Sequence, residues 1–330
     1  MMLHAVARAG LRRRLVAGLA VGLVIAGVAV VGTTTVRVGA AIQRIERVPD
    51  AFPAESTRPA PHPVGTVAPR NYLLLGSDSR GTGGSLLTSL GDRADAILLV
   101  HVPADRRSVQ IISIMRDSWV DIPGYGMAKI NAALSYGGVP LMVQVVESLI
   151  GQRIDDVAIV DFAGFAALTD AVGGVTVQNE VAFSVGDVRF AQGPVTLTGA
   201  DALPYVRERY AFADGDYQRV RNQQAYLRGL LVAMLQPTTL ANPWAVAGLV
   251  DAMSPYLAAT DGLTAPAAVQ LAAELAAAGT PEVATFTLPT AGTATIGDQS
   301  VVLLDAADLA VVQAALQQDS MTGFVPPAER

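Results

Sequence analysis

Short apolar runs alternate with longer amphipathic segments from residue 70 onward. Polar or turn residues follow each apolar run, as is typical of strands. The predicted strands are Asn71–Leu75, Ala96–Val102, Val109–Ile114, Val157–Val160, Val175–Val177, Val283–Leu288 and Ser300–Leu303. Helical patterns cover Met127–Leu134, Val139–Ile150, Phe162–Val172, Thr198–Val206, Asp216–Leu235, Ala265–Ala278 and Ala306–Gln317. Interleaved strands and helices predict an α/β fold: a single layered α-β-α sandwich around a mixed sheet, with the strand order left open.

The N-terminus has a different pattern, which predicts a membrane anchor. Leu15 to Val36 is a run of 22 residues without a charge, long enough to cross a hydrocarbon core of ~30 Å as a helix. Arg8 and Arg12–Arg14 precede this run. The positive-inside rule therefore predicts a single-pass cell-membrane protein, with residues 1–14 in the cytoplasm and the remainder outside. A cleaved signal peptide is the alternative, although its apolar run is usually ~7–15 residues long.

Residues 37–69 are predicted to be a juxtamembrane segment followed by a proline-rich linker. Six of the 21 residues from Pro49 to Pro69 are proline, and proline favours an extended chain without a core of its own. We therefore expect a semi-rigid spacer, residues 15–36 being the transmembrane helix and residues 70–330 the extracytoplasmic domain.

Composition excludes several kinds of site. Without cysteine there is no disulfide, no cysteine-ligated metal and no thiol nucleophile. Three scattered histidines do not form a histidine-rich metal site, and a net charge of −6 argues against a nucleic-acid partner. The charge is unevenly divided, since residues 70–330 carry 15 basic and 26 acidic groups, and 14 of those 15 bases lie between Arg70 and Arg228.

Four clusters of arginines and carboxylates lie at the ends of predicted elements. They are Asp78 with Arg80; Arg93 with Asp95; Arg116 with Asp117, followed by Lys129 and Asn131; and Arg207 with Arg209, Asp214, Asp216, Arg219, Arg221, Gln223 and Gln224. Arginine forks suit phosphate, and neighbouring carboxylates suit Mg²⁺. Since strand ends are where open α/β sheets place ligand groups, the clusters together predict one focused anion site.

Each cluster taken alone also has a purely structural explanation. Aspartates cap helices and pair with arginines at the surface, and helix arginines are often solvated. These explanations apply to Asp78, to Asp95 with Arg93, to Arg116 with Asp117, and to Arg219 and Arg221, while Asn131 and Gln223 would satisfy backbone groups. The joint occurrence of the clusters favours the anion site.

The residues of these clusters, and their order along the chain, resemble the sequence motifs of the LytR-CpsA-Psr (LCP) family of bacterial cell-wall enzymes. The strings that carry the resemblance are NYLLLGSDSR (71–80), RADAILLV (93–100), SIMRDSWVDIPG (113–124), KINAALSYGG (129–138), DFAGFAALTDAVGGVTV (161–177), LTGADALPYVRER (197–209) and DYQRVRNQQAYL (216–227). The arginine- and alanine-rich composition points to an actinobacterial member.

The resemblance implies a phosphotransferase that moves a glycopolymer from a polyprenyl-pyrophosphate carrier to a peptidoglycan hydroxyl as a phosphodiester. By position, it implies Mg²⁺ as cofactor, bound by Asp78 and Asp95. The residues expected at the pyrophosphate are Arg80, Arg93, Arg116, Lys129, Asn131, Arg221, Gln223 and Gln224, and the expected catalytic residues are Arg116, Asp117, Arg207, Arg209 and Arg219. A carboxylate would take the hydroxyl proton, and Asp117 and Asp216 both remain candidates.

Two departures from the family pattern matter. Met115 stands where the family usually has proline before the Arg-Asp pair, and Asn222 stands where it commonly has arginine before Gln-Gln. Arg221 lies one position earlier, which rotates it by ~100° on a helix, so its place at the phosphate is an open question.

Two other functions use the same residues. A lipid-pyrophosphate hydrolase would accept water instead of a sugar hydroxyl, and a non-catalytic lipid-binding or regulatory envelope protein would bind without turnover. The predicted Asp78 and Asp95 pair favours an enzyme over the second alternative.

Overall fold

The computed structural model describes residues 44–62, 67–77, 85–87, 94, 96–161, 163–234, 236 and 243–327. The strands in chain order are β1 Glu46–Arg47, β2 Arg70–Ser77, β3 Ala96–Val102, β4 Ser108–Ile114, β5 Trp119–Ile122, β6 Gly126–Lys129, β7 Asp156–Asp161, β8 Val175–Asn179, β9 Phe183–Val185, β10 Val188–Phe190, β11 Gly193–Leu197, β12 Leu257–Ala259, β13 Glu282–Thr287, β14 Thr290–Ile296 and β15 Gln299–Leu304. The α-helices are α1 Ala132–Ile150, α2 Ala163–Ala171, α3 Gly199–Arg207, α4 Asp216–Met234, α5 Pro243–Met253, α6 Ala265–Ala278 and α7 Ala306–Gln317.

A mixed sheet forms the centre of the described fold. Its strand order is β1-β12-β7-β2-β3-β4-β13. β2 pairs parallel with β7, and β4 pairs parallel with β13, whereas β3 runs antiparallel to both β2 and β4. The predicted mixed α/β sheet is therefore confirmed.

The two faces of this sheet pack against different helices, because side chains alternate along each strand. Leu73, Leu99 and Ile112 lie in one buried cluster with residues of α1 and α7. Leu98 and Ile111, on the opposite face, pack against side chains from α4. Helices thus cover both faces, as the sandwich prediction requires.

The strands from β8 to β11 form a smaller region beside the sheet. β8 pairs with β11 and β9 pairs with β10, both antiparallel. Phe183, Phe190 and Tyr205 form a buried aromatic cluster there, with ring centroids 4.8 to 5.7 Å apart. This cluster supports α3, the helix that leads into one of the predicted arginine groups.

The predicted helix Met127–Leu134 is wrong at its N-terminal end. Residues 126–129 form β6, which pairs antiparallel with β5, and α1 begins only at Ala132. Gly124 and Gly126 have φ values of 82° and 77°, a conformation open to glycine that closes the β5–β6 hairpin. The turn chemistry therefore overrides the local helical pattern.

Residues 44–62 pack onto the domain, whereas the sequence predicted that they would belong to an extended spacer. β1 pairs parallel with β12, and Val48 and Ala51 lie in the main core. Arg58 binds buried Glu147 on α1 at 2.6 Å between Nη2 and Oε1. Its guanidinium also lies 4.4 Å from the ring of Phe52. These contacts supply the core that proline content alone does not reveal.

The predicted membrane anchor, Leu15–Val36, lies outside the described residues. Within the described ranges, α1 alone is long and apolar enough to cross a membrane, and half of it is buried. Its Val143 and Val146 are fully buried in the core, which accounts for its apolar composition.

A buried histidine makes the described fold sensitive to acid. Asn71 donates through Nδ2 to the carbonyl of Arg153 at 2.9 Å, so its Oδ1 accepts from Nδ1 of His101 at 2.7 Å. Nε2 of His101 is left as an acceptor, 3.8 Å from Oδ1 of Asp319. Burial, aided by the nearby positive groups of His62 and Arg106, lowers the pKa of His101 from 6.5 to about 4.

We expect the free energy of unfolding to fall as the pH drops from about 6.5 towards 4. The unfolded chain binds a proton on His101 at its usual pKa, whereas the folded chain resists it, so a shift of this size is worth roughly 3 kcal/mol when complete. His101→Gln should flatten this pH dependence, measured by urea unfolding at pH 7 and pH 5, with His4→Gln as the control. An unchanged slope in His101→Gln would show that the acid sensitivity arises elsewhere.

Candidate functional site

Strand ends gather at one edge of the sheet and define the candidate site. β2, β4, β7 and β13 end there, and β3 begins there. The register pairs Gly76 with Ala96 and Ser77 with Asp161, and Ser113 of β4 with Thr287 of β13. Polar residues that follow these strands in the sequence are therefore carried to the same edge.

A turn after β4 carries Arg116 and Asp117. Met115 is buried, and its carbonyl accepts a hydrogen bond from the backbone N–H of Ser118 at 2.9 Å. The β5–β6 register places Lys129 opposite Trp119, and the Nζ atom of Lys129 lies 3.0 Å from Oδ1 of Asp117. Methionine at the position where proline was expected thus still supports a turn that presents the Arg-Asp pair.

Asp216 is the centre of the predicted arginine cluster. Its Oδ2 lies 2.8 Å from Nη2 of Arg219 and 3.5 Å from Nε of Arg116, and its Oδ1 lies 3.5 Å from Nη1 of Arg209. Asp216 is the first residue of α4, where the helix dipole favours a negative charge. One carboxylate thereby holds three guanidinium groups that come from three separate parts of the chain.

The charges of this cluster leave it positive. Among the described residues that these contacts join, Arg116, Arg209, Arg219 and Lys129 carry four positive charges, while Asp117 and Asp216 carry two negative charges, a difference of two. The whole chain, in contrast, has a net charge of −6. Guanidinium groups bind phosphate through paired hydrogen bonds, so this arrangement can receive a phosphate or pyrophosphate group.

Two other predicted residues lie beside the cluster. Asn131 precedes α1, and its backbone N–H donates to the carbonyl of Arg116 at 3.2 Å. Gln223 is buried, donates to the carbonyl of Val206 at 3.3 Å, and lines a small recess that Arg116, Asp216 and Arg219 also line. Arg207 is half-buried at the C-terminal end of α3, two positions before Arg209.

Arg221 lies apart from this cluster. Its guanidinium pairs with Asp214, and its Nε lies 3.1 Å from Glu180. Arg219 and Arg221 are two positions apart, a rotation of ~200° on a helix, so they occupy opposite faces of α4. Asn222, at the position where the resemblance expects arginine, is buried and donates to the carbonyl of Tyr205 at 3.4 Å. Arg221 is therefore directed towards Asp214 and Glu180, and its binding to pyrophosphate stays a prediction.

Gln224 is buried and makes two hydrogen bonds to the sheet. Its Nε2 donates to Oγ of Ser113 at 2.8 Å and to Oγ1 of Thr287 at 3.0 Å. These bonds fasten α4 to β4 and β13, and the role of Gln224 at the pyrophosphate stays a prediction. Ser113 and Thr287 escaped the sequence analysis because a hydroxyl inside an apolar strand carries no distinctive spacing.

Asp161 is a third residue that could not be singled out from the sequence in the same way as the arginine clusters. It ends β7 beside Ser77 and is buried. Its position directly after an apolar strand is the same signal that drew attention to Asp78.

The predicted metal ligands Asp78 and Asp95, and the predicted phosphate ligands Arg80 and Arg93, lie outside the described residues. Within the described ranges, histidine and carboxylate side chains form no group of three or more that could hold a metal ion. Their described neighbours in sequence, Ser77 and Ala96, end β2 and begin β3 at the edge of the site.

The chain is similar in sequence to known proteins over most of the described domain. A family model described as the LytR_cpsA_psr family matches residues 51–318. The chain is 39% identical over 235 residues to the probable cell wall biosynthesis protein LcpB of Corynebacterium glutamicum, covering 67% of this chain and 54% of that protein. It is 35% identical over 164 residues to the polyisoprenyl-teichoic acid–peptidoglycan teichoic acid transferase TagU of Bacillus cereus, covering 49% and 52% respectively. The chain thus spans about half the length of these curated relatives.

Solved structures share the fold. The crystal structure of TagV from B. subtilis has a TM-score of 0.64 and 25% identity, covering 79% of this chain and all of that one. A structure of TagT bound to LI-WTA has a TM-score of 0.62 and 25% identity, covering 83% of this chain and 99% of that one.

We expect Asp216→Asn to destabilise the protein, because three guanidinium groups would lose the carboxylate that offsets their repulsion. The expected loss is about 1 kcal/mol for this partly exposed network. Inorganic pyrophosphate should raise the melting temperature of the variant more than that of the wild type, since the anion replaces the missing charge. Asp187→Asn, at an exposed turn position, is the matched control. Equal stability, with no response to pyrophosphate in either protein, would remove Asp216 as the centre of an anion site.

Proposed function

Because the chain belongs to the LytR_cpsA_psr family, we propose that it is a cell-envelope phosphotransferase. In this proposal it takes a glycopolymer from a polyprenyl-pyrophosphate carrier and joins it to a peptidoglycan hydroxyl. The observation that carries the proposal is the set of three arginines on Asp216 at the edge of the sheet. The names of the curated relatives, a cell wall biosynthesis protein and a teichoic acid transferase, support the same class of reaction.

The proposed reaction exchanges one phosphorus–oxygen bond for another. The acceptor hydroxyl oxygen attacks the phosphorus that carries the sugar, and the bond from that phosphorus to the bridging oxygen breaks. The lipid phosphate leaves with the bond electrons, and the product is a phosphodiester between glycopolymer and peptidoglycan. Little covalent chemistry is required of the protein, so positioning and charge stabilisation supply most of the catalysis.

Arg116, Arg209 and Arg219 are proposed to bind the two phosphate groups. Charge builds up on the departing lipid phosphate, and fixed guanidinium groups stabilise it without rearranging during the reaction. Arg219 is largely buried and held at 2.8 Å by Asp216, which makes it the most constrained of the three. Lys129 and Arg207 would add positive charge around the same anion.

Asp117 is our preferred general base. Asp216 lies close to three guanidinium groups, one of them at 2.8 Å. Asp117 lies 3.0 Å from Nζ of Lys129 and 3.8 Å from Nε of Arg116, so a single guanidinium group lies near it at a longer distance. A partly exposed carboxylate beside the arginine cluster can accept a proton from an incoming hydroxyl.

Mg²⁺ is proposed as the cofactor, with Asp78 and Asp95 as its protein ligands. Carboxylate oxygens combined with substrate phosphate oxygens are the ligands that Mg²⁺ prefers. The support is that Ser77 and Ala96, their neighbours in sequence, meet at the edge of the site. When bound, the ion would neutralise charge on the pyrophosphate.

We also propose that residues 15–36 anchor the protein in the cell membrane with the domain outside. This location brings the domain to the membrane in which a polyprenyl-linked donor resides. The 22-residue apolar run and the arginines before it support this orientation.

Arg116→Ala should reduce the rate of transfer by at least about 100-fold while the protein remains folded. The substitution removes a guanidinium group whose positive charge is proposed to stabilise the reacting phosphate. The assay incubates the full chain with Mg²⁺, a polyprenyl-pyrophosphate-linked sugar and peptidoglycan fragments, and analyses products by mass spectrometry. Arg189→Ala, at an exposed position on β10, is the matched control.

Three results are distinguishable in this assay. A sugar–phosphate–peptidoglycan adduct made by the wild type and lost in Arg116→Ala supports the transferase. Release of lipid phosphate and sugar phosphate regardless of acceptor would identify a hydrolase instead. Lipid binding without turnover would identify a binding protein.

Asp78→Ala should weaken the dependence of the transfer rate on Mg²⁺, so that about tenfold more Mg²⁺ is needed for half-maximal rate. The carboxylate removed is one of the two proposed metal ligands. Asp298→Ala, in the turn between β14 and β15, is the control. A magnesium titration identical to that of the wild type would move the metal to other residues.

A further inference from the structure

Two tyrosines form an exposed aromatic stack beside the proposed reaction site. The rings of Tyr125 and Tyr136 lie 4.5 Å apart between centroids, at an angle of 14°. Tyr125 is 56% exposed and Tyr136 is 44% exposed, and neighbouring Met127 is 53% exposed. Large apolar side chains gathered at a surface commonly mark a binding site.

A proline on α1 explains why these rings are held together. In a regular helix the carbonyl of Tyr136 would accept from the backbone N–H of the residue four positions later, but that residue is Pro140, which has no N–H. The hydroxyl of Tyr125 supplies the missing donor, at 3.0 Å from the carbonyl oxygen. The stack is therefore preorganised by a backbone hydrogen bond as well as by ring contact.

Two glycines add to this local geometry. Gly137 and Gly138 have non-helical dihedral angles, and Gly138 has a φ of 64° and a ψ of −157°. They break α1 directly after Tyr136 and separate its first turn from the longer, buried part of the helix. The aromatic pair thus joins the β5–β6 turn to the short N-terminal part of α1.

The stack lies at the turn of the hairpin whose other end reaches the arginine cluster. Tyr125 is in the β5–β6 turn, next to the pair Ile122 and Gly126, and the pair Trp119 and Lys129 lies three residues further along. At ~3.4 Å per residue this is about 10 Å along the strands. The rings are therefore close to Lys129 and Asp117 but separate from them.

Few charged residues lie near the stack along the chain, and one of them is the exposed Asp121, which pairs with Met127 across the hairpin. The segments 122–128 and 130–146 contain no Asp, Glu, Lys or Arg, whereas the arginine cluster at the other end of the hairpin is positive. A pyrophosphate donor fits the positive end, and an uncharged ligand with apolar faces fits the aromatic end. The C–H face of a pyranose ring is such a ligand, and tyrosine offers it a rigid surface at a low cost in side-chain entropy.

We propose that Tyr125 and Tyr136 form a subsite for the acceptor glycan, in which a sugar ring of the peptidoglycan strand packs against the exposed tyrosines. This inference rests on the proposed transferase function. It assigns the positive end of the hairpin to the donor and the aromatic end to the acceptor, so that the sugar hydroxyl is presented towards Asp117.

Acceptor kinetics test the subsite. Tyr125→Ala in the full chain should raise the KM for peptidoglycan glycan strands about fivefold, while kcat and the KM for the lipid-linked donor stay unchanged, since aromatic contacts of this kind have that magnitude. Tyr125→Phe keeps the ring but loses the hydroxyl that binds Tyr136, so its KM should rise by a smaller factor, about twofold. Trp244→Ala, an exposed aromatic residue on α5, is the control.

A binding measurement separates failure of this subsite from failure of the transferase. Calorimetry with a tetrasaccharide of alternating N-acetylglucosamine and N-acetylmuramic acid needs no donor and no turnover. Binding by the wild type that Tyr125→Ala weakens supports the subsite even if no transfer is seen. Equal binding and equal acceptor KM in wild type and variant would overturn it. Loss of binding to anionic lipid vesicles, or of self-association, with glycan binding unchanged would assign the tyrosines to a membrane surface or a second copy instead.

Discussion

The contact between Asp216 and three arginines is the interaction on which the candidate site depends. Arg116 follows strand β4, Arg209 follows helix α3, and Arg219 lies one turn into α4. Three guanidinium groups at this spacing repel one another, and a single carboxylate at a helix N-terminus offsets part of that repulsion. A phosphate group would meet arginines that are already gathered, so little reorganisation opposes its binding.

Hydrogen bonds between buried polar side chains hold this cluster in a fixed position relative to the sheet. Gln224 bonds to hydroxyl groups on β4 and β13, one turn after Arg219 on the same helix. These groups are buried, and breaking such bonds would leave polar atoms without partners at a cost of about 1–3 kcal/mol each. The helix that carries Asp216 and Arg219 is therefore fastened to the strand that precedes Arg116.

Elements with strong periodicity could be predicted closely from the sequence. The predicted bounds of β3, α6 and α7 agree with the structure, because long apolar runs or helical repeats leave few alternatives. β6 was predicted as helix, since its pairing with β5 depends on a glycine turn and not on periodicity. The packing of residues 44–62 was missed because the partners of β1 and Arg58 are more than 80 residues distant in sequence.

Part of the candidate site could also be predicted from the sequence. Residue type and strand-end position identified Arg116, Arg209, Arg219 and Asp216, which the structure brings together. The partners of Arg221 could not be predicted, because helix phase decides which of two close arginines faces the cluster. Those of Gln224 could not be predicted either, because its hydroxyl partners lie on strands distant in sequence. The family resemblance read from the ordered motifs is confirmed by the match over residues 51–318.

A crystal structure of the protein with a polyprenyl-pyrophosphate analogue would test the proposed phosphate site directly. We expect the two phosphate groups to contact Arg116, Arg209 and Arg219. Phosphates bound instead by Arg221 and Arg228, in the groove of about 660 Å³ between α4, β8 and β13, would contradict this expectation and make the Asp216 cluster a structural ion-pair network.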